Sequence, residues 1–501
     1  MSSTTRTSAN DLITTVLDPG SFISWDTSPE YGDISDDYRE ALARAREKSG
    51  VDESVITGEG TVAGRRVATI VSEFSFLGGS IGAATARRII AGIHRATAER
   101  LPLLISPSSG GTRMQEGTPA FALMVSITTA VYRHKDAHLP FLVYLRNPTT
   151  GGVMASWGSA GHFTFAEPGA LLGFLGPRVV ELTTGTPIPD GVQSGENLAH
   201  VGVIDGVLSP KLLRDAVRKI EDVLLSTHSD LEPTRPETAE VAAGNVWESI
   251  LKTRQADRPG VRDIVAKLSP KLIELSGSGD GRRSAAMTVA LAQIAGRPVV
   301  LIGQNRHQQP PLGEAELGPE ALRCARRGIA LAHELQLPLV SIIDTPGAEL
   351  SQHAEEHGLA GSIARTLGEL VYLDVPTISV ILGQGCGGGA LAMLPADRVL
   401  AAEHAWLSPL PPEGASAIIY RDIDHAPQMM EEQDVSAFAL HRAGIVDSII
   451  PEQPDAAEEP EAFIDRVLST ISHELWVLEN SPERVGREQR FKHYEKLATR
   501  Q

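Results

Sequence analysis

The chain has 501 residues, enough for about three average domains and a large buried core. Its 45 Lys and Arg against 63 Asp and Glu leave a net charge of −18 with no run of positive charge, which excludes the basic face that nucleic acid requires. Hydrophobic residues at 42% together with 47 glycines describe a globular protein rich in tight turns.

Residues 1–50 read as an N-terminal arm at the surface, ending in a helix over Asp36–Lys48 that Gly50 stops. The opening MSSTTRTSAN has no apolar segment of secretory type, and the two cysteines, Cys324 and Cys386, form no C-x-x-C pair. No zinc ribbon or disulfide framework can be built from them, and a cytoplasmic setting is expected. From residue 51 to 228 the pattern repeats strand, glycine, helix. The apolar runs VATIVSEF, LPLLISPSS, LPFLVYLRN and HFTFAEP are separated by helix-length segments such as IGAATARRIIAGIHRATAER, which predicts an α/β domain with buried strands. Residues 229–260 are polar and proline-containing and read as a linker. A second α/β domain is expected over 261–476, and a solvated, charged helical tail over 477–501. The uncharged stretch Val375–Ala396 is long enough to span a bilayer, but Pro376, Pro395 and its glycines break a helix, so it reads as a buried strand and a glycine turn.

The two domains repeat one another. Pro102 answers Pro338 and Pro140 answers Pro376, both at a spacing of 236, and Gly151–Gly152 land on Gly387–Gly388 and Glu167 on Glu403 in the same register. Upstream, GRRVATI answers GRPVVLI at a spacing of 232. Each half carries two glycine clusters after strand-like runs: SSGGTRMQEG and NPTTGGVMAS in the first, DTPGAE and GQGCGGGALAM in the second. A helix that begins at such a turn presents unpaired N–H groups and its positive dipole end, which suits a carbonyl oxygen becoming an oxyanion.

Other chemistries are weaker. Gly383, Gly385 and Gly388 satisfy a dinucleotide fingerprint with Glu403 beyond, but the matched cluster in the first half does not. His134 and His138, and His353 and His357, have metal-like spacing without an obvious third ligand and read as solvated helix faces. Ser80 sits in a G-x-S-x-G with no specified histidine partner. Arg113 is expected to pair with Glu116, with a CoA phosphate as its alternative partner.

The strings FSFLGGSIGAA, LLISPSSGGTRMQEG, NPTTGGVMASW, FAEPGALLGFLGPRVVE and VQSGENLAHVGVIDGVL resemble the β subunit of bacterial acetyl-CoA carboxylase carboxyltransferase and the same family in acyl-CoA carboxylases. LDPGSFISWD resembles its lead-in, and IIDTPGAELSQHAEEHGLAGSIARTLGEL, GQGCGGGALAM and LPPEGASAIIYRD resemble the α subunit. The resemblance implies a fused β–α chain of two tandem crotonase-like (ClpP/crotonase, ββα spiral) domains. Its implied activity is transfer of CO2 from carboxybiotin on a separate carrier protein to acetyl-CoA, giving malonyl-CoA for fatty acid biosynthesis. Propionyl-CoA or a longer acyl-CoA is the alternative substrate, and a crotonase-type hydratase, a biotin-dependent decarboxylase and a non-catalytic carboxylase scaffold are the competing readings of the fold.

The resemblance places an oxyanion hole for the thioester at Gly110 and Gly111 and one for the biotin ureido oxygen at Gly389 and Ala390. It assigns acyl-CoA binding to Ser109, Thr112, Arg113, Gly151 and Gly152, and biotin binding to Gly347, Ala348, Gly387 and Gly388. Released biotinate can take the α-proton in the family's mechanism, so no side-chain base is needed. No metal is implied in this chain. The chain has no biotin-acceptor lysine motif and no ATP-grasp signature, so the biotin carboxyl carrier and biotin carboxylase are expected as separate partners. A homo-oligomer, by resemblance a hexamer, is implied, with the reactants meeting between protomers. Departures from the family pattern are Thr112, Pro411 and QNRHQQPPLGEAELG in place of an R-N-F-G-M-P segment.

Overall fold

The computed structural model describes residues 6–225, 227–228, 231–239, 245–308, 317–481, 483 and 485–497. The chain divides into two compact units, residues 1–219 with 279–281, and 220–278 with 282–501. Parts of the expected linker, of the QNRHQQPPLGEAELG segment and of both termini lie outside the described residues.

The first unit is built on a seven-stranded sheet in the order Ile23–Ser24, Val55–Val62, Arg65–Ser72, Leu103–Ser106, Phe141–Leu145, Phe163–Ala166, Gly206–Val207. The first two pairings are antiparallel and the rest parallel. A short parallel pair, Thr149–Thr150 with Leu172–Gly173, stands apart from it. The central strands are buried throughout, as their continuous Val, Leu, Ile and Phe runs require when both faces are covered. Helix Ala83–Ala98 sets Ile89 and Ile93 against Ile70, Ile105 and Val143 in the core.

The second unit repeats this plan with Leu272–Glu274, Met287–Ile294, Arg297–Gln304, Leu339–Thr345, Thr377–Cys386, Arg398–Ala402 and Ser448–Ile450 in order, and Trp406–Ser408 paired to the strand Thr377–Cys386. Strand pairing verifies the internal repeat residue by residue. Val55 faces Ser72 as Met287 faces Gln304, a spacing of 232, and Leu103 faces Phe141 as Leu339 faces Thr377, a spacing of 236. Both antiparallel hairpins turn on an Ala-Gly pair at positive φ, Ala63–Gly64 at 51° and 82° and Ala295–Gly296 at 48° and 82°, which matches the twist of the flanking strands. Further on the register slips by one. Leu142 faces Phe163, whereas Ile378 faces Arg398, so Glu403 is not the structural counterpart of Glu167.

Two expectations change. The N-terminal arm is packed rather than a loose surface segment: Leu12, Ile13 and Val16 of helix Ala9–Val16 are buried, and Ile23–Ser24 joins the sheet edge. Helix Asp36–Ser49 is capped by the Ser35 side chain and stopped by Gly50 at φ 72°, and it buries Tyr38 and Leu42. The terminal helix Arg487–Leu497 is anchored as well. Arg490 is fully buried in an ion pair with Asp397 at 2.8 Å, and Tyr494 Oη accepts the Ala396 N–H at 3.1 Å.

Candidate active site

In each unit the strand ends converge on a glycine turn that leads into a very short helix. In the first unit the segment Ser109–Arg113 runs against Thr149–Gly152. Ser109 bridges Thr149, and the Thr150 N–H donates to Ser109 O at 3.0 Å. A Cβ on Gly111 would lie 3.6 Å from Gly151 Cα and 3.7 Å from Gly152 N, and one on Gly152 would lie 3.6 Å from Thr112 Oγ1. Ser109, Gly110, Gly111, Thr112, Gly151 and Gly152 therefore form one cluster. Gly111 stands at φ 113°, a conformation open to glycine, and its N–H donates to Ser109 Oγ at 3.0 Å.

The second unit repeats the device. Gly347 stands at φ 147°, its N–H donates to Thr345 Oγ1 at 3.1 Å, and Thr345 faces Gly385 as Ser109 faces Thr149. A Cβ on Gly347 would lie 3.8 Å from Cys386 Sγ, and one on Gly389 would lie 3.6 Å from Ala348 Cβ and Ala348 N. Gly347, Ala348 and the run Gly387–Ala390 are thus a second cluster.

The Gly110 N–H is held by Gly78 O at 3.0 Å and the Gly111 N–H by Ser109 Oγ, so the pair assigned to the thioester hole is committed to shaping the turn. The adjacent helix Gly151–Met154 begins at the same turn. Its Gly151 N–H goes to Phe174 O at 2.8 Å, which leaves the first-turn amides of Gly152 and Val153 without an acceptor one turn back. In helix Gly387–Leu391 the same stations are Gly388 and Gly389.

Arg113 is fully buried. Its guanidinium holds Glu53 at 2.5 and 3.1 Å, Tyr38 Oη at 3.2 Å and Ser80 O at 2.8 Å, with Glu116 farther off at 3.7 Å. Burial pushes the Glu53 carboxyl up, but the bonds and charge of Arg113 outweigh it and hold the group below the usual carboxylate range. The expected pairing of Arg113 was right in kind, with Glu53 as its main partner in place of Glu116. Glu116 caps helix Ala83–Ala98 through the Ala83 N–H at 2.6 Å and accepts from Tyr38 Oη at 2.6 Å.

The remaining motifs are absorbed into structure. Ser80 Oγ lies 3.3 Å from Arg113 Nε. His353 and His357 stack at 4.0 Å, and among the described residues no group of three or more His, Cys, Asp or Glu is placed to hold a metal ion. Burial pushes the Cys386 thiol up to about 12, which removes its thiolate at neutral pH. Glu413 forms a two-pronged ion pair with Arg254 at 2.6 and 3.0 Å at the start of helix Pro412–Ile419, and Pro411 is the residue before it. Among the described residues no helix is long and apolar enough to cross a membrane.

Beside the first turn a cavity of about 1050 Å³ is lined by Arg6, Arg44, Lys48, Phe74, Gly78 and Asn147, among others. Its buried carboxylate, Glu73, is taken up by the Ala9 N–H at 2.8 Å and by the N–H and hydroxyl of Ser75 at 3.0 and 2.5 Å. The Arg6 guanidinium lies over the Phe74 ring at 4.3 Å. Arg6, Arg44 and Lys48 thus stand around one concavity in a chain of net charge −18.

Known proteins resemble this chain over most of its length. The carboxyl transferase domain family matches residues 3–487. The chain is 54% identical over 490 residues, covering 97% of it and 98% of the relative, to a Mycobacterium tuberculosis protein named "probable biotin-dependent acyl-coenzyme A carboxylase beta3 subunit". It is 36% identical, over 95% of its length and 88% of the relative's, to the acetyl-coenzyme A carboxylase carboxyl transferase subunits beta/alpha of Salinispora arenicola. In fold it is similar to the transcarboxylase 12S hexamer solved with methylmalonyl-coenzyme A, with a TM-score of 0.71 at 22% identity over 93% of this chain and 90% of that one.

Proposed function

Because the chain belongs to the carboxyl transferase domain family and is a biotin-dependent acyl-CoA carboxyltransferase of two crotonase-like domains, we propose that it carboxylates a short acyl-CoA, acetyl-CoA first and propionyl-CoA second. The observation that carries this reading is the duplicated turn, one set of unpartnered first-turn amides in each unit. Carboxybiotin, delivered on a separate carrier protein, supplies the CO2.

In the first unit the N–H groups of Gly152 and Val153 bind the thioester oxygen and stabilise the negative charge that develops there when the α-proton leaves. Loss of one such donor typically costs about 3 to 4 kcal/mol of barrier. In the second unit the N–H groups of Gly388 and Gly389, with Ala348 opposite, receive the ureido oxygen. The pocket fits that group because the helix start carries no Cβ at three successive residues. Thr112 and Met124 stand 3.6 and 3.4 Å from where a Gly152 Cβ would be, a narrow wall that favours a short acyl chain. The cavity around Arg44 and Lys48 takes the phosphates of CoA.

Exposed apolar residues near the first turn, Met114 at 83%, Phe121 at 60% and Val125 at 71%, and near the second, Leu350 at 67% and Ile418 at 66%, support assembly into a homo-oligomer, a hexamer as in the transcarboxylase core.

The test is a panel of acetyl-, propionyl-, butyryl- and longer acyl-CoA with biotinylated carrier and its carboxylase, run on the wild type and on Gly152→Val. Gly152 does not have positive φ and its nearest neighbour is a Met124 methylene, so the variant folds and blocks the amides. Transfer is greatest to acetyl-CoA and falls at least roughly 100-fold in the variant with oligomer mass unchanged. A wild type that carboxylates none of these substrates, or a variant that matches it, overturns the reading.

A further inference from the structure

Gln304 ends the strand Arg297–Gln304 behind the second turn and is fully buried. Its two amide ends are spent on different segments. Oε1 accepts the Asp344 N–H at 3.0 Å, and Nε2 donates to Gly389 O at 2.8 Å. Asp344, also fully buried, carries the linkage on: Oδ1 accepts the Gln384 N–H at 3.0 Å, and Oδ2 faces Arg306 Nη1 at 3.3 Å.

The Gly389 carbonyl needs this brace. In a longer helix it would accept the N–H four residues on, but the Met393 N–H goes to Ala390 O at 3.1 Å, so the five-residue helix leaves Gly389 O to Gln304. Glycine has no side chain to restrain its own peptide. The first unit lacks the device. At the matched station stands Ser72, whose buried Oγ has no partner, and the residue matched to Gly389 is the branched Val153, whose carbonyl accepts the Ser156 N–H at 3.3 Å.

We propose that Gln304 is a positioning residue: by holding the Gly389 carbonyl it fixes the peptide that joins Gly389 to Ala390, and with it the turn whose amides face the ureido oxygen. This rests on the reading of the second turn given above. Gln304 touches no reactant, and its effect runs through Gly389.

The test is Gln304→Glu in the full-length chain, which keeps the acceptor for Asp344 N–H and sets a carboxylate oxygen against Gly389 O. The expected result is a kcat roughly 10- to 100-fold lower, with KM for acetyl-CoA within about two-fold of wild type. Binding of biotin methyl ester, followed by saturation-transfer NMR without turnover, weakens in parallel, while the thermal midpoint and oligomer mass stay unchanged. Gln304→Asn, one methylene shorter with both polar ends kept, loses roughly three- to ten-fold in kcat and serves as the readout if the Glu variant does not assemble. Wild-type kcat and ester binding in either assembled variant overturn the brace, as does a loss that falls on acetyl-CoA KM alone. The function reading fails separately, on the wild-type substrate panel.

Discussion

Ser109 and Thr345, 236 residues apart, make the same bond: each hydroxyl accepts the N–H of the glycine two residues on, Gly111 at 3.0 Å and Gly347 at 3.1 Å. Both glycines lie at positive φ, and the hydroxyls turn back to the glycine carbonyls, Ser109 at 3.4 Å and Thr345 at 2.8 Å. The two turns thus share a brace as well as a shape.

Removing the hydroxyl leaves a glycine amide in a turn with no donor-acceptor partner. Ser109→Ala and Thr345→Val should each lower unfolding free energy by about 1 kcal/mol in urea titration. They should also lower kcat more than acyl-CoA affinity, because the turns they support abut the helices that carry the free amides. Equal kcat in both variants and wild type would separate the brace from the chemistry.

Much of this was legible in the sequence, for physical reasons that can be named. Buried parallel strands need unbroken apolar runs, so the strands at Leu103–Ser106 and Phe141–Leu145 stood out, and a repeat that preserves strand pairing must preserve spacing. The spacing of Ser109 and Thr345 to their glycines was also there to be read. What composition and spacing could not show is which amide is already bonded. Gly110 and Gly111 look as free as Gly152 until the carbonyl of Gly78 is placed beside the first and the hydroxyl of Ser109 beside the second. Likewise, the polar-looking tail conceals Arg490, which is buried against Asp397, Thr377 and the carbonyl of Val371.

The Arg113–Glu53 pair predicts a pH dependence. Both side chains are fully buried, so Glu53→Gln strands a cation and should cost about 3 to 5 kcal/mol of stability. Glu53 titrates below its ordinary value in the folded chain, so the unfolded chain binds the proton more readily. The pair's contribution is complete above the ordinary carboxylate value of about 4.3 and is lost as pH falls through the lower folded value. Urea midpoints measured between about pH 6 and pH 3 should fall more steeply in wild type than in Glu53→Gln.

Cys386 precedes the glycine helix yet is 1% exposed, with its thiol pushed up to about 12. Iodoacetamide at pH 8 should therefore leave carboxyl transfer intact over hours, and Cys386→Ser should retain turnover. Rapid inactivation tracked to Cys386 by peptide mass would show that the turn opens in solution.

Arg44 and Lys48 lie one turn apart on helix Asp36–Ser49 and share the cavity beside Gly78 with Arg6. Both are exposed, and Arg44 already has a neighbour in Glu40 at 3.2 Å, so each contributes modestly, about 0.5 to 1 kcal/mol of attraction for a phosphate. Reversing both charges, Arg44→Glu with Lys48→Glu, should raise KM for acetyl-CoA roughly 10- to 50-fold with kcat nearly constant, the pattern of binding lost equally from ground and transition states. The same variant should lose most of the salt dependence of KM, because the attraction it removes is screened over about 10 Å at 0.1 M ionic strength. A substrate shortened to acetyl-pantetheine carries no nucleotide phosphates and should be used equally by wild type and variant. Discrimination between them on that substrate would place the phosphates elsewhere.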